Sequence, residues 1–256
     1  MSNYNNFSHF YDALTFDVNY KKRTKYIISL FKKFHKEPTL LLDLACGTGG
    51  FSAEFAKSGI DVIGVDKSEG MLSIAQEKNL RLKKKVLYLC QSAEELDLYG
   101  TVDGAVCCLD SINHITESET LLEAFKKVAL FLEPECLFIF DVNTLYKHKE
   151  ILGNNSYKMR KKGINCSWTN KYNDEEKTVE IELEFSFKTA LFKRGYSTEK
   201  IIEKAYDDEQ LKELLNKAGF EVLAVYGEMT EIPPKPDSQR NISVCKKRKI
   251  DNGKTN

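Results

Sequence analysis

Three features of the sequence predict an α/β fold, a mostly parallel sheet with helices on both faces that carries an inserted antiparallel β element. Short apolar runs alternate with amphipathic helical stretches from Thr39 to about Asp141, the pattern of stacked βαβ units. The first of these runs ends in a glycine-rich turn, DLACGTGG. Further on, Val179, Ile181, Leu183, Phe185 and Phe187 alternate with Glu180, Glu182, Glu184 and Ser186, which describes a one-sided antiparallel strand.

The elements follow in order. TLLLDLA reads as the first strand, and FSAEFAK behind the glycine turn places Phe51, Phe55 and Ala56 in helical spacing, with Gly59 as the stop. IDVIGV is a second strand ending at Asp66, and Ser68 is placed to cap the helix SEGMLSIAQEKN. VLYLC, VDGAVCCL and CLFIFDV read as three more strands, with the helix SETLLEAFKKVALFL between the last two, ended by Pro134. In the insert, Ile164, Cys166, Trp168 and Tyr172 keep period two and NDEE supplies the turn into Val179–Phe187. Residues 200–206 fit a third strand and a helix equally well. Asp207 and Gln210 form a capping box for DEQLKELLNKAG, Gly219 ends that helix, and FEVLAVYG and NISVCKK make a closing strand pair. The expected organisation is one discontinuous unit of residues 1–142 and 206–248, an antiparallel β lid at 143–205 and a disordered tail at 249–256.

The chain has 256 residues, 42% hydrophobic and 30% charged, enough to bury one sizeable core. Lys plus Arg and Asp plus Glu both total 38, so there is no global electrostatic case for binding nucleic acid or a membrane surface. No apolar stretch approaches the ~20 residues needed to span a bilayer, and the opening residues lack the pattern of a secretory signal. Seven cysteines, an odd number with no CxxC pair, indicate a reducing, cytoplasmic setting. The scattered histidines suggest no metal site, and no second carboxylate pair at a recognisable spacing supports one built on Asp110.

The glycine turn lies at the carboxyl end of the first strand, where open α/β sheets bind ligands. A dinucleotide fingerprint starting at Gly47 needs glycine at position 52, where Ser52 stands. Instead the chain resembles the class I S-adenosylmethionine-dependent methyltransferases, whose acidic-x-Gly-x-Gly-x-Gly motif is matched by Asp43, Ala45, Gly47 and Gly49, with alanine replacing the first glycine. The resemblance spans about Tyr4 to Lys247 and implies a Rossmann-like seven-stranded sheet and S-adenosyl-L-methionine as cofactor. By the same resemblance, Asp66 would accept hydrogen bonds from the ribose hydroxyls beside Lys67, and Met71 would pack on the adenine. Ser92 and Ala93 stand where the family usually has an acid facing the adenine amino group, and Leu109 follows the fourth strand. Leu132, Glu133, Pro134, Glu135 and Cys136 replace the family's Leu-x-Pro-Gly-Gly, so that turn should close differently.

Methyl transfer from a sulfonium is an in-line displacement, for which orientation can supply about 7 to 11 kcal/mol and a general base about 3 to 5. Positioning should dominate. The segment after the fourth strand, CCLDSINHI, offers Asp110, Ser111, Asn113 and His114, and His114 is the candidate base because imidazole titrates near neutrality. Similar small-molecule and sugar-amine N-methyltransferases have a histidine at the matching place. The aromatic N-terminal stretch, read as lying ahead of the first helix, would fold over the cofactor as in related enzymes, with Tyr11 and Tyr20 as contacts and Tyr11 as a second catalytic candidate. Seven basic residues, Lys147, Lys149, Lys158, Arg160, Lys161, Lys162 and Lys171, stand against Glu150 alone between Asn143 and Tyr172, suiting an anionic acceptor or a solvated loop. The leading expectation is a small-molecule N- or O-methyltransferase with neither nucleic acid nor membrane as partner. The alternatives are an RNA (tRNA) methyltransferase using the basic segment with Lys246, Lys247, Arg248 and Lys249, or a non-catalytic cofactor-binding module. No signal for oligomeric state is present.

Overall fold

In the computed structural model, residues 4–161, 163–188 and 194–249 are described. The strands are β1 (Leu40–Leu44), β2 (Asp61–Asp66), β3 (Leu87–Cys90), β4 (Val102–Cys107), β5 (Leu132–Asn143), β6 (Ser156–Lys161), β7 (Ile164–Asn173), β8 (Thr178–Lys188), β9 (Arg194–Lys204), β10 (Phe220–Gly227) and β11 (Arg240–Lys247). The helices are α1 (Tyr4–Leu14), α2 (Tyr20–Lys33), α3 (Gly50–Lys57), α4 (Glu69–Asn79), α5 (Ser118–Phe131) and α6 (Asp208–Lys217). Seven strands form one sheet in the order β10-β11-β5-β4-β1-β2-β3, and β6-β7-β8-β9 form a second, antiparallel sheet. Within the large sheet only β11 runs against its neighbours, β5 and β10. Strand order reverses between β1 and β4, and a crevice opens there at the carboxyl ends of the strands.

The apolar strands are buried on both faces because helices cover both. Leu42 and Leu44 pack with Phe125 of α5 and Leu211 and Leu215 of α6, whereas Leu41 packs with Phe31 of α2, Phe55 of α3 and Ala75 of α4. Asp43 lies between Leu42 and Leu44, so strand alternation sends it to the α3 side. A third apolar cluster joins the small sheet to the N-terminal region, with Val179, Ile181, Leu183 and Phe185 against Phe10 of α1 and Met71 of α4. Phe10 stacks on Phe185 at 4.5 Å between ring centroids. The small sheet therefore turns its apolar face down as a lid, while Glu180 and Glu184 face solvent.

Ser68 caps α4 by accepting from the Met71 amide, and the Asp207–Gln210 capping box forms in both directions. Two expectations need correction. The N-terminal aromatics are not ahead of the first helix: they form it, as α1. Helix α5 stops at Phe131, and Pro134 sits in a bulge of β5 where the register to β4 shifts; Glu135 there adopts φ 65°, so a non-glycine residue makes the turn given to glycine in the family pattern. Residues 200–204 belong to strand β9, not a helix, and β6 and a π turn at Lys147–Leu152 were not foreseen. The expected disordered tail falls, after Lys249, outside the described residues.

Candidate active site

The turn after β1 carries three residues at positive φ: Ala45 at 54°, Gly47 at 54° and Gly49 at 73°. Alanine accepts that conformation at a cost of about 1 kcal/mol. Gly49 cannot be replaced as easily, since a Cβ there would lie 2.3 Å from the Tyr88 hydroxyl. The turn is fastened to the end of β2 by Asp66, whose Oδ2 accepts from the Gly47 amide at 2.8 Å and whose Oδ1 accepts from the Ser68 amide at 2.9 Å. Each carboxylate oxygen keeps a further lone pair. Burial pushes the Asp66 carboxyl up, only partly offset by these amides.

Tyr11, Tyr20, Asp43, Ala45 and Leu109 together line a cleft of about 270 Å³ with Cys46, Thr48, Gly50, Phe51 and Cys108. Asp43 is 2% exposed and accepts from Ser52 Oγ at 2.5 Å; burial pushes its carboxyl up to about 7. Burial, then the neighbouring Tyr20, Asp110, Asp66 and Asp12, hold the Tyr11 phenol well above its ordinary range, so Tyr11 is neutral in the wall of the cleft. The Tyr20 ring meets Phe51 edge-on and its hydroxyl donates to Thr15. Asp12 ties α1 over the cleft by accepting from Thr48 Oγ1 at 2.7 Å and pairing with Lys78 of α4 at 2.7 Å.

Beyond β4 the chain passes through Leu109 at φ 56° and Asp110 at φ 53° into a 3₁₀ turn, Ser111–His114. Two consecutive left-handed non-glycine residues are strained, and the structure shows what holds them. Asp141 on β5 accepts from both amides, at 2.9 and 2.7 Å, and pairs with Arg240 of β11, whose other arm reaches Asp110 at 2.7 Å. Burial alone would raise the Asp110 carboxyl, but Arg240, Lys147 and His114 outweigh it and hold it well below the usual carboxylate range. Asn143 donates to Asp110 at 2.9 Å and to Glu203 of β9 at 3.1 Å, and Glu203 also meets His148 at 2.9 Å. The lid is thus joined by hydrogen bonds to the strained turn. His114 Nδ1 is buried without a hydrogen-bond partner among the described residues.

Donor atoms of Asp110, His114 and Glu203 lie within 4.8 Å of one another, close enough for a metal ion. Glu203 comes from β9, about 90 residues beyond Asp110 and His114, so the group has no signature in sequence spacing. Both carboxylates are already engaged, by Arg240 and Asn143 and by His148 and Asn143, so the cluster reads as an ion-pair network.

Four other expected site residues have surroundings of their own. Met71 is packed in the lid cluster, Ser92 donates to Glu95, Ala93 packs against the α5 core, and Lys67 is exposed. The basic segment is dispersed: Lys147 is bound to Asn143, Lys149 pairs with Asp174, Lys161 lies over the Phe16 ring at 4.3 Å, and Lys162 lies outside the described residues. Sequence reading missed Asp141, Asn143, His148, Glu203 and Arg240. The signal available was faint: a charged residue at the end of an otherwise apolar strand, as at Asp141 and Arg240.

A strand-order reversal with a glycine turn fastened to an acidic residue at the end of β2, facing a lidded crevice, defines a class I methyltransferase, and the chain belongs to the S-adenosylmethionine-dependent methyltransferases of that class. Residues 41–135 match a methyltransferase domain family. The chain is 30% identical over 248 residues to YqeM of Bacillus subtilis (strain 168), which carries the name of a methyltransferase with no acceptor stated, covering 96% of this chain and 98% of that one. The crystal structure of an S-adenosylmethionine-dependent methyltransferase from Clostridium acetobutylicum ATCC 824 superposes with a TM-score of 0.86 at 30% identity, covering 96% of this chain and 99% of that chain. The S-adenosylmethionine-bound amino pentose methyltransferase CalS10 of Micromonospora echinaspora shares the fold, with a TM-score of 0.71 at 17% identity and coverage of 90% and 92%. No helix among the described residues is long and apolar enough to cross a membrane.

Proposed function

We propose that this methyltransferase acts on a nitrogen or oxygen of a small molecule enclosed beneath the lid, with His114 accepting the acceptor's proton. The observation that carries this reading is the buried, unpartnered Nδ1 of His114, at the carboxyl end of β4 on a turn held rigid by Asp141 and Arg240 and roofed by β9. A buried nitrogen left without a partner costs stability, and a donor on the acceptor would satisfy it.

The residues fit the cofactor. Asp66 has the free lone pairs to take two ribose hydroxyls, and the turn at Gly47 and Gly49 lets the backbone come close. Asp43, with the rings of Tyr11 and Tyr20, gives the cleft an anionic and aromatic lining suited to a cation. When bound, S-adenosylmethionine supplies an electrophilic methyl group on a sulfonium. The chain's own part is to align the acceptor, exclude water with α1 and the lid, and hold a proton at His114. Of the sequence-level candidates, Lys67, Met71, Ser92 and Ala93 are assigned only to the edge of the adenosine site.

The absence of a global basic excess, with Lys147 and Lys149 taken up by local partners, favours a small molecule over RNA. The test is incubation of the enzyme and methyl-labelled cofactor with a metabolite extract and, separately, with bulk tRNA, followed by mass spectrometry. Label in the small-molecule fraction is expected. Label confined to tRNA refutes the reading.

A further inference from the structure

Strand β9 turns acids toward the inside of the lid. Its inward positions are Ser197, Glu199, Ile201 and Glu203, since they pair with Phe185, Leu183, Ile181 and Val179, all of them buried. Glu203 ends in the network beside His114. Glu199 does not: it is 5% exposed, it faces Leu183, and among the described residues it has no hydrogen-bond or ion-pair partner. Burial alone acts on its carboxyl, pushing it up.

Its place along the strand is informative. One same-face step toward the start of β9 lies the position opposite Phe185, on which Phe10 of α1 stacks; two steps the other way lies Glu203. Glu199 therefore sits in the roof between the helix that carries Tyr11 and the turn that carries His114. A largely covered carboxylate that faces inward with no donor favours whatever supplies the missing charge. A single carboxylate walled by Leu183 and Ile201 is poorly matched to a metal ion, which seeks several oxygen ligands, and well matched to an organic cation with an apolar body.

We infer that Glu199 recognises a cationic group on the methyl acceptor, so the acceptor class is an amine-bearing small molecule held as its ammonium form under the lid. This rests on the small-molecule reading above. Four strand residues, about 13 Å of backbone, separate Glu199 from Glu203, so the cation is a handle apart from the atom methylated near His114.

The test uses full-length protein saturated with S-adenosylhomocysteine and two probes of one shape, phenethylamine and 2-phenylethanol, titrated by saturation-transfer NMR. Wild type should bind the ammonium probe about tenfold more tightly than the alcohol. In Glu199→Gln that preference should vanish, while in Glu184→Gln, on the outer face, it should persist. Ligand-free Glu199→Gln should also melt above wild type, because the unpaired carboxylate is gone; a purely structural glutamate would give a lower melting temperature. The inference is overturned by a lower melting temperature for Glu199→Gln, by equal binding of the two probes to wild type, or by no binding of the ammonium probe. Label found only in tRNA defeats the small-molecule reading, whereas a missing ammonium preference with label among metabolites defeats this inference alone.

Discussion

Asp43→Asn is the substitution whose consequence the structure fixes most closely. The carboxyl is buried, it accepts from Ser52, and burial pushes it from an ordinary 3.8 up to about 7. The native state therefore holds a proton that the unfolded chain has already released between these two values. The contribution of Asp43 to stability is greatest below about pH 4, falls as pH rises to about 7, and is level above that. At 1.36 kcal/mol per pH unit, the gap of about 3 units makes ionised Asp43 destabilising by about 4 kcal/mol, of which about 2 to 3 develop between pH 5 and 8. Asparagine keeps the shape and an acceptor for Ser52 but carries no charge, forgoing about 1 kcal/mol of charge assistance in that bond. The variant should be more stable than wild type at pH 8, and the difference should shrink by about 2 kcal/mol on going to pH 5. Urea unfolding of both proteins across this range measures it, since subtraction cancels the other titrating groups. If the difference between the two proteins is flat with pH, Asp43 does not titrate as argued. The gain in stability should come with a loss: cofactor affinity should rise with pH through about 7 in wild type, as the carboxylate forms to meet the cation, and lose that dependence in the variant.

Asp66→Ala should weaken S-adenosylhomocysteine binding by about 3 kcal/mol in calorimetry, the sum of two charge-assisted hydrogen bonds; an affinity within about threefold of wild type would remove the ribose assignment. Because Asp66 also anchors the Gly47 and Ser68 amides, Asp66→Asn is the companion that separates lost ribose contacts from a loosened turn. Phe185→Asp should destabilise by more than about 4 kcal/mol, placing a charge against Phe10, whereas Glu184→Lys on the other face should stay within about 0.5 kcal/mol; equal melting temperatures would contradict the register of β8. His114→Ala should lower turnover about 10² to 10³-fold with cofactor affinity unchanged, and should erase any rise of rate with pH seen for wild type on the same acceptor. Full turnover with an unaltered pH profile would assign His114 a structural role.

The sequence by itself determined the glycine turn after β1 and the acid that fastens it. Strand, glycine turn, helix, strand and acid are local in sequence, so Asp43, Ala45, Gly47, Gly49 and Asp66 were legible from their order, and the positive φ at Gly47 and Gly49 follows from residue type. The outer sheet of the lid was legible for the same reason, because Val179 to Phe187 meets solvent on one face and apolar neighbours on the other. Strand β9 was ambiguous because Glu199 and Glu203 point inward while Ile202 points out, inverting the alternation that sequence reading depends on. Of the network around His114 only Asp110 was legible. Asp110, Asp141, Asn143, His148, Glu203 and Arg240 come from five separate segments, and each alone is an ordinary polar residue. Only when β5, β9 and β11 are brought to the same end of the molecule do Asp141 and Arg240 hold the strained turn and Glu203 reach it from the lid. Chain order carries the contacts that a few neighbouring residues make through their own geometry. Contacts between charges 30 to 130 residues apart depend on burial, which the assembled tertiary structure alone decides.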